Sequence, residues 1–221
     1  MKKIVILFSN FIFLFFLFCN SENKENKINI KDQEKLNVYS FKEEEISFKE
    51  FNIVKKNYDS LIVKNDRRFI KNYDSLKVNN QLYISNLSDN DNMEIYNYYG
   101  YWKPLNMDII KVNYYEDNEI IIQDDKHIVV KLYGIPYINQ EKKYFSTYFI
   151  DGYNQESYID LYMIKKNKIK HIYHFVTEKW FPWDLVWNDN AIYLKITDAI
   201  WDEKGNYSTN FKYKKLIIIK K

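Results

Sequence analysis

The sequence predicts an all-β fold: an antiparallel meander, closed as an up-and-down barrel, packed as a sandwich or arranged as propeller-like sheets, behind a short helical or irregular N-terminal segment. Three observations predict it. Short apolar runs rich in Ile, Val, Tyr and Phe recur along the chain, separated by Asn, Asp and Lys clusters. Aromatic residues make up 19%, with 21 tyrosines whose apolar rings and polar tips suit half-buried strand faces. Only four glycines and three prolines are present, so the turns must be made by Asn and Asp.

Taken in order, residues 20–38 carry many charges and few large apolar groups, and they read as a flexible tether. "SFKEEEISFKEF" follows. It places Ser40 before Glu43 and Ser47 before Glu50, each in the S-x-x-E pattern of a capping box. Phe48, Phe51, Lys55, Tyr58 and Ile62 are spaced by threes and fours, which predicts a helix over 47–57. The hexapeptide KNYDSL stands at 56–61 and again at 71–76. Two copies are too few for a solenoid, and Asn-Tyr-Asp-Ser supplies turn chemistry ahead of "LIV" and "KVNNQLYIS". Residues 39–81 therefore read as an N-terminal extension with a short helix and a hairpin, and 82–221 as the β domain.

In that domain "MDIIKVNYY" (107–115) puts Ile110, Val112 and Tyr114 on one face. Glu116-Asp117-Asn118 turn into "EIII", and Asp124-Asp125-Lys126 into "HIVVKLY". "KYFSTYFI" and "SYIDLYMI" flank Asp151-Gly152-Tyr153-Asn154. "IKHIYHFV", "AIYLKI" and "FKYKKLIII" complete a series of about eight strands, short enough in their connections to pair in sequence order. Just before the meander, Gly100-Tyr101-Trp102 resembles the G-x-W near the first strand of lipocalin-like proteins, a resemblance that implies a closed barrel.

The N-terminus carries an address. Met1-Lys2-Lys3 is a basic start, Ile4 to Phe18 is an apolar stretch broken only by Ser9 and Asn10, and "NSENKENK" is polar. This is the layout of a secretory signal, and the run is shorter than the ~20 residues of a spanning helix. Cys19 closes the apolar stretch and is the only cysteine. In this respect residues 1–20 resemble a bacterial lipoprotein signal, although Phe18 stands where such signals usually have a small residue. The resemblance implies lipid attachment at Cys19 and a protein moored to a membrane of the cell envelope. Cleavage after Ser21 and retention of the segment as an uncleaved anchor are the alternatives. A free thiol is awkward in an oxidising compartment, and a thioether-linked lipid removes it.

Composition excludes several function classes. The formal charge is +3 and falls to +1 without Lys2 and Lys3, and Arg67 and Arg68 are the only arginines. That balance speaks against nucleic acid as a partner. There is no G-x-S-x-G elbow and no glycine-rich phosphate loop. "DNDN" (89–92) lacks the glycine and terminal glutamate of a calcium loop. His171 and His174 lie three apart on an expected strand, which points them to opposite faces. They would share a metal only on a helix. No catalytic residue, metal or cofactor is therefore expected.

The remaining feature is "WFPWDLVW". Helical spacing would align Trp180, Trp183 and Trp187 on one face, with Pro182 opening the turn. They read either as a stacking platform or as a core plug, with Asp184 orienting a ligand hydroxyl or capping the turn. Trp102 joins them as a candidate binding residue. The expected role is a non-catalytic envelope module for a glycan, an apolar small molecule or an envelope protein. The alternative is a periplasmic inhibitor or immunity-type protein that occludes an enzyme. A cavity lined by Tyr and Trp favours the first, and an exposed apolar patch the second.

Overall fold

The computed structural model describes residues 38–64, 68–166, 168–200 and 208–220. In chain order these form β1 (Tyr39–Glu45), α1 (Phe48–Asn57), β2 (Ile62–Val63), β3 (Phe69–Lys71), β4 (Ser75–Val78) and β5 (Gln81–Ile84). Next come β6 (Glu94–Trp102), β7 (Met107–Tyr114), β8 (Asn118–Gln123), β9 (Ile128–Leu132) and β10 (Tyr137–Ile138). Then follow β11 (Tyr144–Asp151), β12 (Glu156–Lys165), β13 (Lys168–Thr177), β14 (Trp180–Asn188), β15 (Ala191–Asp198) and β16 (Lys212–Lys220).

The all-β expectation holds, and the architecture is a layered sandwich rather than a barrel. The strands form four antiparallel sheets, ordered β3-β4-β5, β2-β6-β7-β8-β9, β10-β11-β12-β13 and β1-β16-β15-β14. The strand that carries Gly100-Tyr101-Trp102 belongs to the open second sheet, so the closed barrel implied by the lipocalin-like resemblance does not form from these strands. Gly100 has a local reason instead. A Cβ there would lie 2.8 Å from the Val63 carbonyl oxygen and 2.7 Å from the Ile62 side chain, so its absence lets β2 pair with β6.

Each sheet packs face to face on the next. Leu76 and Val78 of the first meet Ile110, Val112 and Ile121 of the second. Trp102, Ile109, Ile120 and Ile122 of the second meet Ile138, Phe145 and Tyr162 of the third. Ile159, Leu161 and Ile172 of the third meet Trp180, Leu185, Trp187 and Leu194 of the fourth. The outer side of the fourth is covered by α1, through Phe51 against Val186, Ala191 and Tyr193. The sequence explains this layering. Neighbours such as Ile109 and Ile110 point to opposite faces and both are fully buried, which is why "DIIKV" and "EIII" read as continuous apolar runs.

Residues 39–81 supply strands to the sheets. β1 is the edge of the fourth sheet, paired with β16 from Tyr39 against Lys220 to Glu45 against Lys214. Its acidic run faces the basic run of β16, with Glu43 and Lys214 at 3.1 Å. α1 forms where the spacing places it, and the Ser47 hydroxyl accepts from the Glu50 amide at 3.1 Å. The other S-x-x-E pair, Ser40 and Glu43, lies within β1 and caps nothing. The two KNYDSL copies adopt different structures. The first ends α1 and leads into β2, whereas the second makes the β3–β4 turn. No described helix is long and apolar enough to cross a membrane. Cys19 and the expected signal and most of the tether lie outside the described residues.

Candidate functional site

The site begins with a departure from strand periodicity. β12 pairs with β13 so that Asp160 faces His174, Leu161 faces Tyr173 and Tyr162 faces His171. The register shifts between Leu161 and Tyr162, leaving Ile172 as the extra residue of a β-bulge. Ile172 and Tyr173 both join the core toward the fourth sheet. The bulge thus restores His171 and His174 to one face. The expectation that they point to opposite faces is corrected, because alternation fails at the inserted residue.

Both imidazoles converge on one carboxylate oxygen. Asp160 Oδ1 lies 2.7 Å from His171 Nε2 and 2.7 Å from His174 Nδ1. The Asp160 side chain is only 12% exposed, while those of His171 and His174 are 38% and 43% exposed. Burial pushes the Asp160 carboxyl up, but the hydrogen bonds from the two histidines outweigh it and hold the group below its ordinary value. The same hydrogen bond to Asp160 raises His174 above its ordinary value, against its partial burial. Aromatic rings flank the imidazoles: Tyr158 stacks on His174 at 5.2 Å, and Tyr162 lies 5.0 Å from His171.

Asp160 and His174 of this cluster form part of the wall of a cleft of about 850 Å³ lined by residues of the second and third sheets and the turns beside them. Glu116, Asp117 and Asn118 approach from the β7–β8 turn, and Tyr133 from the chain after β9. Phe149, Asp151, Tyr153, Tyr158, Asp160 and His174 come from the third sheet and its β11–β12 turn. Tyr133 to Phe149 is 5.6 Å and Phe149 to Tyr158 is 6.3 Å, so aromatic rings continue from strand to strand along the cleft. Gly134 holds the Tyr133 wall against β11. A Cβ at that position would lie 2.4 Å from the Tyr148 carbonyl oxygen.

The cleft is acidic. Among its described lining residues four are carboxylates and none is lysine or arginine. Asp151 accepts from the Tyr153 and Asn154 amides at 3.0 Å each, which fixes the turn and lowers its own pKa. Tyr158 is pushed up to about 12, first by its hydrogen bond to Glu156. Such a surface offers acceptors to hydroxyl groups and cations, and ring surface to a flat or partly apolar ligand.

The residues singled out from the sequence lie elsewhere. Trp102, Trp180 and Trp187 are at most 2% exposed and belong to two separate cores. "WFPWDLVW" is strand β14 rather than a helical turn, because the segment pairs with β15 along its length. Trp183 is the extra residue of a bulge between Pro182 and Asp184, which leaves it 42% exposed. Its indole N–H donates to Thr197 Oγ1 at 2.9 Å. Asp184 pairs with Lys55 of α1 and accepts from the Leu185 amide at 3.0 Å. The tryptophans therefore form no common platform.

One sequence signal did point to the cleft. Asp160 is a lone charge inside the apolar run "SYIDLYMI", and a carboxylate buried in a strand needs partners. No protein-family model, curated protein or solved structure matches this chain.

Proposed function

We propose that the protein is a lipoprotein of the bacterial cell envelope, moored through Cys19, whose β domain binds a neutral glycan and catalyses no reaction. The observation that carries the binding half is the cleft between the second and third sheets. Its aromatic wall includes Tyr133 and Tyr153, which are 59% and 96% exposed and so present ring surface to a sugar. Its carboxylates and Asn118 accept and donate hydrogen bonds to hydroxyls. The carboxylates repel an anionic ligand, and an apolar one would strip them of water without compensation. The mooring half rests on the basic start, apolar stretch and Cys19 of residues 1–20.

Titration of the purified protein with a panel of neutral oligosaccharides (gluco-, manno-, xylo- and chito-) tests the binding half. At least one saturates the cleft, and Tyr153→Ala weakens it roughly two- to tenfold while leaving the melting temperature unchanged. Binding unaffected by Tyr153→Ala and Tyr133→Ala together, or no binding to any member, contradicts the reading. Mass spectrometry of the mature N-terminus from native membranes tests the mooring. A diacylglyceryl mass on Cys19 supports it, and an unmodified chain beginning at Glu22 refutes it.

A second reading, a protein that occludes an enzyme, has one observation behind it. The side of the first sheet turned away from the second exposes Ile70, Leu82 and Ile84 at 61%, 62% and 59%. On that reading, co-purification from envelope extracts yields a stoichiometric partner that Leu82→Lys releases.

A further inference from the structure

We propose that Asp160, His171 and His174 form a binding site for a divalent transition-metal ion of the zinc class, open to the cleft. Three donor atoms, one from each residue, all lie within 4.8 Å of one another. Two imidazoles and one carboxylate form a donor set of intermediate softness, which suits zinc and its neighbours and suits calcium or magnesium poorly.

The geometry is built rather than accidental. Asp160 and His174 face each other across adjacent strands, and the bulge at Ile172 brings His171 to the same face. Without that inserted residue the set would be incomplete. The carboxylate is anchored in the sheet at 12% side-chain exposure, and the imidazoles reach toward solvent at 38% and 43%. The Tyr158 and Tyr162 rings limit how the imidazoles turn.

The 2.7 Å spacings are those of hydrogen bonds, with Asp160 Oδ1 shared between two rings. Around a tetrahedral ion with bonds of ~2.1 Å the donors stand about 3.4 Å apart. Each ring must therefore move away from Asp160 Oδ1 by about 0.7 Å, while the two ring nitrogens, which lie within 4.8 Å of each other, settle to the same spacing. Three protein donors leave at least one coordination position facing the cleft, the arrangement of an open site rather than a closed structural one. Glu116, Asp117 and Asp151 line the same cleft and favour a cation there. None of this depends on the glycan reading.

The test uses the tag-free full chain in detergent, stripped with a chelator and dialysed. Zn²⁺ alone is titrated by calorimetry, and Co²⁺ alone by visible absorption. The expected result is one equivalent of Zn²⁺ and Co²⁺ d–d bands of a four- or five-coordinate site. The double variant His171→Gln/His174→Gln lowers affinity at least about a hundredfold, and His127→Gln, beside Asp124 elsewhere, leaves it unchanged. Glutamine keeps an N–H donor at each position for the buried Asp160 carboxylate, and far-UV circular dichroism checks that the variant folds. Failure to saturate with either ion, or equal uptake by the double variant, overturns the proposal and leaves the three side chains as a hydrogen-bonded triad only.

Discussion

Replacing Trp187 with alanine should be among the most damaging single changes in this fold, whereas the same change at Trp183 should be mild. Trp187 is 1% exposed in the core between the third and fourth sheets, and its indole N–H donates to the buried Ser146 hydroxyl at 3.0 Å. A tryptophan buries about 150–250 Å², which at about 25 cal/mol per Å² corresponds to roughly 4–6 kcal/mol. Measured truncations of this kind cost about 3–5 kcal/mol, and the orphaned Ser146 hydroxyl adds to the loss. For a domain of this size each kcal/mol lowers Tm by about 2–4 °C, so Trp187→Ala should lower it by roughly 6–20 °C. Trp183 is 42% exposed, and its truncation should cost about half as much or less. Thermal and urea unfolding of both variants supplies the comparison. A Trp187→Ala protein melting within a few degrees of the parent, or a larger loss at Trp183, refutes the placement of these tryptophans and the sheet packing with it.

Three further outcomes follow from local geometry. Gly134→Ala forces a Cβ against the Tyr148 carbonyl, so it should lower stability and weaken ligand binding at the adjoining Tyr133 wall. Gly134→Ala binding as the parent does would contradict that, by the same titration. Ser47→Ala removes the α1 cap and should cost about 1 kcal/mol in urea unfolding, with Ser47→Asp retaining most of it. Asp108 is 1% exposed, and burial raises its carboxyl pKa although Tyr98 and Asn79 donate to it at 2.8 and 2.7 Å. The folded state then holds a proton that the unfolded state releases, so stability falls as pH rises from about 3.9 through the raised value. Asp108→Asn should flatten that slope, and an unchanged slope in half-unit pH steps would exclude Asp108 as its source.

Much of the fold was legible because its signals are local. The helix cap at Ser47, the Asx turn at Asp151 and the strand runs from Met107 onward each follow from neighbouring residues. What could not be read was set by distant pairing. β1 looks like a capping box until β16, more than 160 residues later, supplies its partner. "WFPWDLVW" fits a helical spacing equally well, and only pairing with β15 makes it a strand. The site was hidden for a related reason. Alternation separates His171 from His174, and the bulge that reunites them at Ile172 has no glycine or proline to announce it. Only the lone Asp160 in an apolar run marked the place.

The central claim is that ligand enters between the second and third sheets, and NMR chemical-shift mapping tests it most directly. Titrating the bound oligosaccharide into isotope-labelled protein should shift signals from Tyr133, Phe149, Tyr153, Tyr158 and His174, leaving those of Ile70, Leu82 and Ile84 in place. Shifts confined to the outer face of the first sheet, with the cleft residues unmoved, would contradict the account.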